Sequence, residues 1–66
     1  EESRLYHAVF LLPEKYRVVI HLYYYEEYST REIASIMGKN ENTVSTYLSR
    51  GRRKLREYLD QERSIL

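Results

Sequence analysis

Residues 29–59 contain the pattern that most limits how this chain can fold. Ser29 and Glu32 form a predicted capping box, because the serine hydroxyl can accept from the Glu32 N–H while the carboxylate accepts from the Ser29 N–H. Gly38 follows a short apolar run and can take the left-handed conformation that ends a helix sharply. Asn40 then suits the N-cap of a second helix. The stretch therefore predicts a helix, a tight turn and a longer helix.

The rest of the chain is also predicted to be helical, because it has only two glycines, one proline and no strand-like alternation. A first helix is predicted from an apolar face that contains Leu5, Ala8, Val9 and Leu12. Pro13 should end this helix. A second helix should stop near residues 26–28, and it carries Tyr16, Val19, Ile20, Leu22 and Tyr23. The fourth helix should run from Glu41 to about Glu62. We expect an all-α, four-helix domain over residues 1–66 that contains a helix-turn-helix and no winged element.

Eight of the 66 residues are tyrosines, and three of them are consecutive, at positions 23–25. Three neighbouring side chains on a helix point in three directions. One or two of them can pack in the core, and at least one should be exposed. Core packing is the simpler explanation of this cluster, and a protein contact surface is the alternative, since tyrosine is enriched at interfaces.

Several classes of chemistry are disfavoured by composition. The chain has no cysteine, so thiol catalysis and thiolate metal sites are excluded, and a reducing cytoplasm is the expected location. No apolar run approaches the roughly 18 residues of a membrane span, and no signal peptide is visible. His7 and His21 lie on separate helices without ligand spacing. We expect no enzyme activity, no metal, no cofactor and no membrane contact.

Charge is distributed unevenly, although the net charge is only +1. Residues 39–56 hold six basic residues and one acidic residue, a net charge of +5, and the flanking segments 1–38 and 57–66 are each at −2. A basic segment on a mildly acidic body favours contact with a polyanion on one side. A solvated basic helix face is the plainer alternative.

The fourth helix has two opposite faces when residues are placed at 100° intervals. The stripe predicted to face the core contains Val44, Leu48, Gly51 and Leu55. The other side contains Asn42, Thr46, Ser49 and Arg53, flanked by Ser45, Arg50 and Arg56. Short polar side chains near a helix start can reach base edges, and arginines further along can reach phosphates. Free N–H groups at the starts of both helices are further candidate phosphate ligands.

These residues together resemble a known family. The matching pieces, in chain order, are Leu12-Pro13-Glu14-Lys15 followed by Arg17, Glu32-Ile33-Ala34, Gly38, Thr43-Val44, and Arg50-Gly51-Arg52 with Leu55. From about Leu12 to Leu59 the chain is similar to region four, the C-terminal domain of bacterial sigma factors, particularly the extracytoplasmic-function group.

The resemblance implies a promoter-recognition domain that reads the minus-thirty-five element of double-stranded DNA with its last helix. It also implies contact with the β flap of the RNA polymerase core and a surface that an anti-sigma factor can mask. We expect the chain to be monomeric. Carried over by position, the DNA contacts are Arg31, Asn40, Asn42, Thr43, Ser45, Thr46, Ser49 and Arg50. The position of Arg53 on the polar face of the fourth helix predicts a further phosphate contact.

The chain also departs from the family pattern. Ser45 and Tyr47 stand where a basic residue is common, Asn42 and Glu27 where a glycine is common, and Lys39 where an aliphatic residue is common. Because a glycine is common at position 27, we expect a positive φ there. A glutamate at positive φ is uncommon and should be strained.

The sequence leaves two alternatives open. One is the helix-turn-helix effector domain of a response or quorum-type regulator, which shares Glu-Ile-Ala and Thr-Val and dimerises through its last helix. The other is a sigma-like protein-interaction module that has lost DNA binding, which the uncharged Ser45 and Tyr47 favour.

Overall fold

A computed structural model describes the backbone of residues 2–65 and the side chains of residues 3–61. The helices are α1 (Glu2–Phe10), α2 (Glu14–Ile20), α3 (Thr30–Met37) and α4 (Glu41–Ile65), and a π-helical segment, His21–Tyr25, continues α2. The described backbone has no strand, which confirms the all-α prediction of four helices without a winged element. Helix α4 extends three residues beyond its predicted end.

Helix α1 ends at Phe10, so the predicted inclusion of Leu12 in this helix is wrong. Pro13 disfavours helical backbone in the residue before it, and the chain leaves α1 through a turn in which Leu11 N–H and Leu12 N–H donate to carbonyls three residues back. Arg17 of α2 donates to the Phe10 carbonyl at 3.3 Å. Leu5, on the predicted apolar face of this helix, is 42% exposed.

The π-helical segment explains why none of the three consecutive tyrosines is buried, although at least one is exposed as predicted. Tyr23, Tyr24 and Tyr25 are all exposed, at 36%, 49% and 45%, so none of the three belongs to the core. Wider hydrogen bonding begins here, with Glu26 N–H donating to the His21 carbonyl five residues back. The extra residue per turn rotates the side chains away from the stripe that α2 buries.

The core lies where α2 and α3 pack against the first half of α4. Its buried residues are Leu12, Tyr16, Val19, Ile20, Ile33, Ala34, Val44 and Leu48. At 25 residues, α4 is about 37 Å long, so its second half reaches past this core toward α1. Within the described part of the chain, no helix is both long and apolar enough to cross a membrane.

Candidate nucleic-acid interface

The start of α3 is held by the predicted capping box. Ser29 N–H donates to Glu32 Oε1 at 2.8 Å, and Glu32 N–H donates to Ser29 Oγ at 3.1 Å. Two N–H groups that a helix start leaves without partners are thereby satisfied. Ile33 and Ala34 follow at once as buried residues, so the cap fixes where the first helix of the motif enters the core.

The turn between α3 and α4 has the predicted backbone geometry. Gly38 lies at φ 67° and ψ 35°, in the left-handed region. Lys39 N–H donates to the Ala34 carbonyl at 2.9 Å, and Gly38 N–H to the Ser35 carbonyl at 3.4 Å. This is the Schellman pattern of hydrogen bonds, which ends a helix within a single residue. Asn40 Oδ1 accepts from Thr43 N–H at 2.8 Å, which confirms Asn40 as the N-cap of α4.

The two faces of α4 are arranged as the sequence predicts. Val44, Leu48 and Gly51 are buried, and Leu55 is partly buried against the core. Every polar residue assigned to the opposite face and its flanks is exposed: Asn42, Ser45, Thr46, Ser49, Arg50, Arg53 and Arg56. A continuous strip of short polar side chains followed by Arg50 and Arg53 therefore faces away from the body, whereas Arg56 lies at its edge.

A hydrogen bond joins the starts of the two helices. The Thr30 hydroxyl donates to Glu41 Oε2 at 3.2 Å, and Glu41 is the first residue of α4. Glu41 is exposed and Thr30 is half-buried. The contact places one carboxylate beside the N–H groups at which both helices could bind an anion.

The other candidate residues lie near this strip in different settings. Arg31 is exposed at the start of α3, and Thr43 is half-buried on the flank of α4. The Asn40 side-chain oxygen accepts from the Thr43 N–H, and the amide NH₂ group is the donor that Asn40 offers to a ligand.

One basic residue beside α4, Lys15, was not predicted as a site residue. Lys15 belongs to α2, and its ammonium lies 5.4 Å from the centre of the Tyr47 ring on α4. It lies outside the basic segment 39–56, so the charge distribution along the chain gives no sign of it. Only the packing of α2 against α4 brings the two residues together.

A second surface feature is an open groove bounded by α1, the π-helical segment and the second half of α4. Its volume is about 830 Å³. Its apolar lining includes Leu5, Val9 and Leu59, and its charged residues are Arg4, Arg52, Arg56 and Asp60. On one side, Arg52 donates to the Tyr24 hydroxyl at 2.9 Å.

His7 and His21 are both exposed. His21 Nε2 lies 3.3 Å from Glu26 Oε2 on the surface, and its ring stacks on Tyr25 with centroids 5.4 Å apart. In the part of the chain whose side chains are described, no three His, Asp or Glu residues are grouped as metal ligands would be.

Two short-linked helices, a left-handed glycine between them and an exposed polar strip on the second helix define a helix-turn-helix protein. The chain belongs to the Sigma-70 region 4 family, whose model matches residues 2–55. The family prediction is therefore confirmed, and the effector domain of a response or quorum-type regulator is excluded. The match begins ten residues before Leu12, the first residue of the resemblance seen in the sequence.

Individual relatives agree with this assignment. The chain is 37% identical over 62 residues to RNA polymerase sigma factor SigV of Bacillus subtilis, covering 94% of this chain and 37% of that protein. It is 48% identical over 48 residues to the ECF RNA polymerase sigma factor SigW of Bacillus subtilis, covering 73% and 26%. It is 38% identical over 63 residues to RNA polymerase sigma factor FliA of Pseudomonas aeruginosa, covering 96% and 26%. The chain thus spans between 26% and 37% of the length of these curated relatives.

Proposed function

We propose that this chain is the promoter-recognition domain of a sigma factor of the extracytoplasmic-function type, and that α4 reads the minus-thirty-five element from the major groove. The observation that carries the proposal is the exposed strip on α4, directly opposite the stripe that anchors this helix in the core. Membership of the Sigma-70 region 4 family and the similarity to SigW support it.

The short side chains of the first turns of α4 contact the base edges. Asn42 can bind the N6 and N7 atoms of adenine together, and the Thr46 methyl and hydroxyl can contact thymine methyl groups or base acceptors. Ser45 and Ser49 flank them on the exposed side. Because α4 projects these groups from a rigid helix, their positions relative to one another are fixed before binding.

The longer and more peripheral groups contact the phosphates. Arg50 and Arg53 extend from the later turns toward the groove walls, and Arg31 extends from the start of α3. The Asn40 amide and the half-buried Thr43 hydroxyl lie at the start of α4, where the helix N–H groups also favour an anion. These contacts set register and affinity, and they carry little sequence information.

The test is selection of bound duplexes from a randomised pool at low salt, followed by anisotropy titrations on the enriched motif. We expect one short, non-palindromic motif, as a monomeric reader requires. Asn42→Ala and Thr46→Ala should relax preference at particular bases by about 1–3 kcal/mol, whereas Arg53→Gln should weaken all sequences alike.

Gln61→Ala is the matched control for Asn42→Ala, because Gln61 is an exposed carboxamide about 28 Å further along the same helix. Unchanged base preference in Asn42→Ala and Thr46→Ala would contradict this assignment of the groove face. Absence of DNA binding by the unmodified domain would favour the protein-interaction module instead.

The groove beside Leu59 is our proposed docking surface for the β flap of RNA polymerase. Its apolar floor and its excess of positive charge, three arginines against Asp60, suit an apolar, acid-flanked protein segment. It involves the part of α4 beyond the base-reading turns, so DNA and polymerase can be bound at the same time.

Leu59→Glu places a carboxylate on that floor. It should abolish binding of the isolated flap domain and leave DNA affinity within about twofold, because residue 59 is about 20 Å along the helix from Thr46. Gln61→Glu, exposed two residues away, adds the same charge outside the groove and should leave flap binding intact. Flap binding that survives Leu59→Glu would exclude this groove.

A further inference from the structure

Lys15 has an unusual setting for a surface lysine. Its Nζ atom lies 5.3 Å from the centre of the Tyr16 ring and 5.4 Å from the centre of the Tyr47 ring. The two rings meet edge to face with centroids 5.7 Å apart. Tyr16 is buried and Tyr47 is half-buried, so the ring pair is itself held in place by the core. Attraction of a cation to ring faces restricts a side chain that would otherwise sample many rotamers.

Tyr47 places this ammonium on one side of the recognition helix. Residues 47 and 50 lie about 60° apart around α4, and residue 43 continues the same row toward the helix start. Thr43 and Arg50, the neighbours in this row, are both proposed DNA contacts. Lys15 thus extends, from a different helix, the row of groups along one flank of α4.

That flank faces a groove wall when α4 is bound. The major groove is about 12 Å wide and a helix with its side chains is about 10–12 Å across, so the sides of the helix meet the phosphate backbones. We propose that Lys15 binds a backbone phosphate on this wall and that Tyr47 and Tyr16 are positioning residues for its ammonium. The inference rests on the proposed function, because it assumes that the exposed strip of α4 enters the groove.

The interaction is an ion pair in which Lys15 N–H groups donate to phosphate oxygens and a condensed counterion is released from the DNA. An exposed cation–ring contact is weak, so the rings orient the ammonium without withholding it from the phosphate. Because the contact is to the backbone, it should add affinity for every sequence and leave base preference unchanged.

The experiment is an anisotropy titration of the whole chain at several salt concentrations, on the selected motif and on a scrambled duplex. Lys15→Gln should lower the slope of log K against log salt by about 0.9 and weaken binding about five- to tenfold at 0.1 M salt on both duplexes. Lys15→Arg keeps the charge and should keep the slope. Arg17→Gln removes the same charge two residues along, where the side chain turns toward the Phe10 carbonyl of α1, and should leave the slope unchanged.

The role of the ring pair has its own readout. Tyr47→Leu keeps an apolar contact at this position and removes the ring, so it should weaken DNA binding when Lys15 is present and have no further effect in Lys15→Gln. Thermal unfolding of each variant shows whether the fold is retained.

The proposal would be overturned by a salt slope in Lys15→Gln equal to that of the unmodified chain, provided that Arg53→Gln lowers this slope. The proposed function would then remain intact. A shift in base preference in Lys15→Gln would also overturn the proposal, since a phosphate contact cannot cause one. An unmodified chain without salt-dependent DNA binding would overturn both.

Discussion

Gly51 of α4 lies against Ile20 of α2 so closely that a Cβ atom built on the glycine would be 2.8 Å from Ile20 Cδ1. It would also lie 3.3 Å from the Cβ atom of Tyr16. Glycine is an unfavourable residue within a helix, so its presence here is explained by the approach of α2 and not by helix formation. This contact sets the distance between the core and the helix that carries the exposed strip.

Substitution of Gly51 tests that packing. Gly51→Val should lower the free energy of unfolding by about 2–3 kcal/mol, because overpacking forces the buried Ile20 side chain and α2 to move. Gly51→Ala should change it by less than about 1 kcal/mol, because the gain in helix propensity offsets the smaller clash. Urea denaturation measures both values, and a valine variant as stable as the unmodified chain would show that the two helices are free to separate.

Glu27 is predicted to be a strained position, and the structure confirms the positive φ expected there, at 60°. A left-handed conformation costs a non-glycine residue about 1–2 kcal/mol, whereas glycine loses about 0.5–1 kcal/mol of chain entropy. Glu27→Gly should therefore stabilise the fold by about 0.5–1 kcal/mol in thermal or urea unfolding.

Gly38→Ala is the control for Glu27→Gly and should change the stability in the opposite direction. Gly38 has φ 67° and no atom within 4 Å of a built Cβ, so only backbone strain opposes the alanine. It should destabilise the chain by about 1 kcal/mol. If both substitutions shift stability in the same direction, left-handed strain is not what governs these two turns.

Ser29→Ala removes the side-chain acceptor of the capping box and should cost about 1 kcal/mol of stability. The lost group accepts from Glu32 N–H at 3.1 Å. Ser35→Ala, on the exposed side of the same helix, should be neutral or slightly stabilising because alanine is the better helix former. Equal effects of the two substitutions, compared by thermal unfolding, would mean that the cap contributes nothing.

Glu41→Gln should strengthen non-specific DNA binding several-fold at low salt, and the gain should shrink as salt increases. The Glu41 carboxylate, held by the Thr30 hydroxyl at 3.2 Å, lies where both helix starts would approach phosphate. Anisotropy on a scrambled duplex measures the change. Glu57→Gln removes the same charge about 24 Å further along α4 and is the control. This prediction depends on the proposed orientation of α4, and a weaker-binding Glu41→Gln would argue that the carboxylate itself contacts a base.

The helix caps were predictable because each deciding contact joins residues close in sequence. The capping box spans Ser29 to Glu32, and the Asn40 cap reaches only to Thr43. Such caps follow from residue type and spacing, and all of them are confirmed. The two faces of α4 were predictable for a related reason, since helical periodicity converts the order of its residues directly into burial.

The π-helical segment was not predictable, although its hydrogen bonds join residues only five apart. It exposes all three tyrosines at 23–25, and the spacing that allows a buried one assumes an uninterrupted α-helix.

The sequence by itself thus determined the helix-turn-helix: its caps, its left-handed glycine and the polar strip of α4, all set by hydrogen bonds and periodicity within short segments. Only the tertiary structure decided that Lys15 lies beside Tyr47 and that Thr30 meets Glu41. Those pairs are 32 and 11 residues apart, and their contact depends on the packing of whole helices, which no local pattern in the chain encodes.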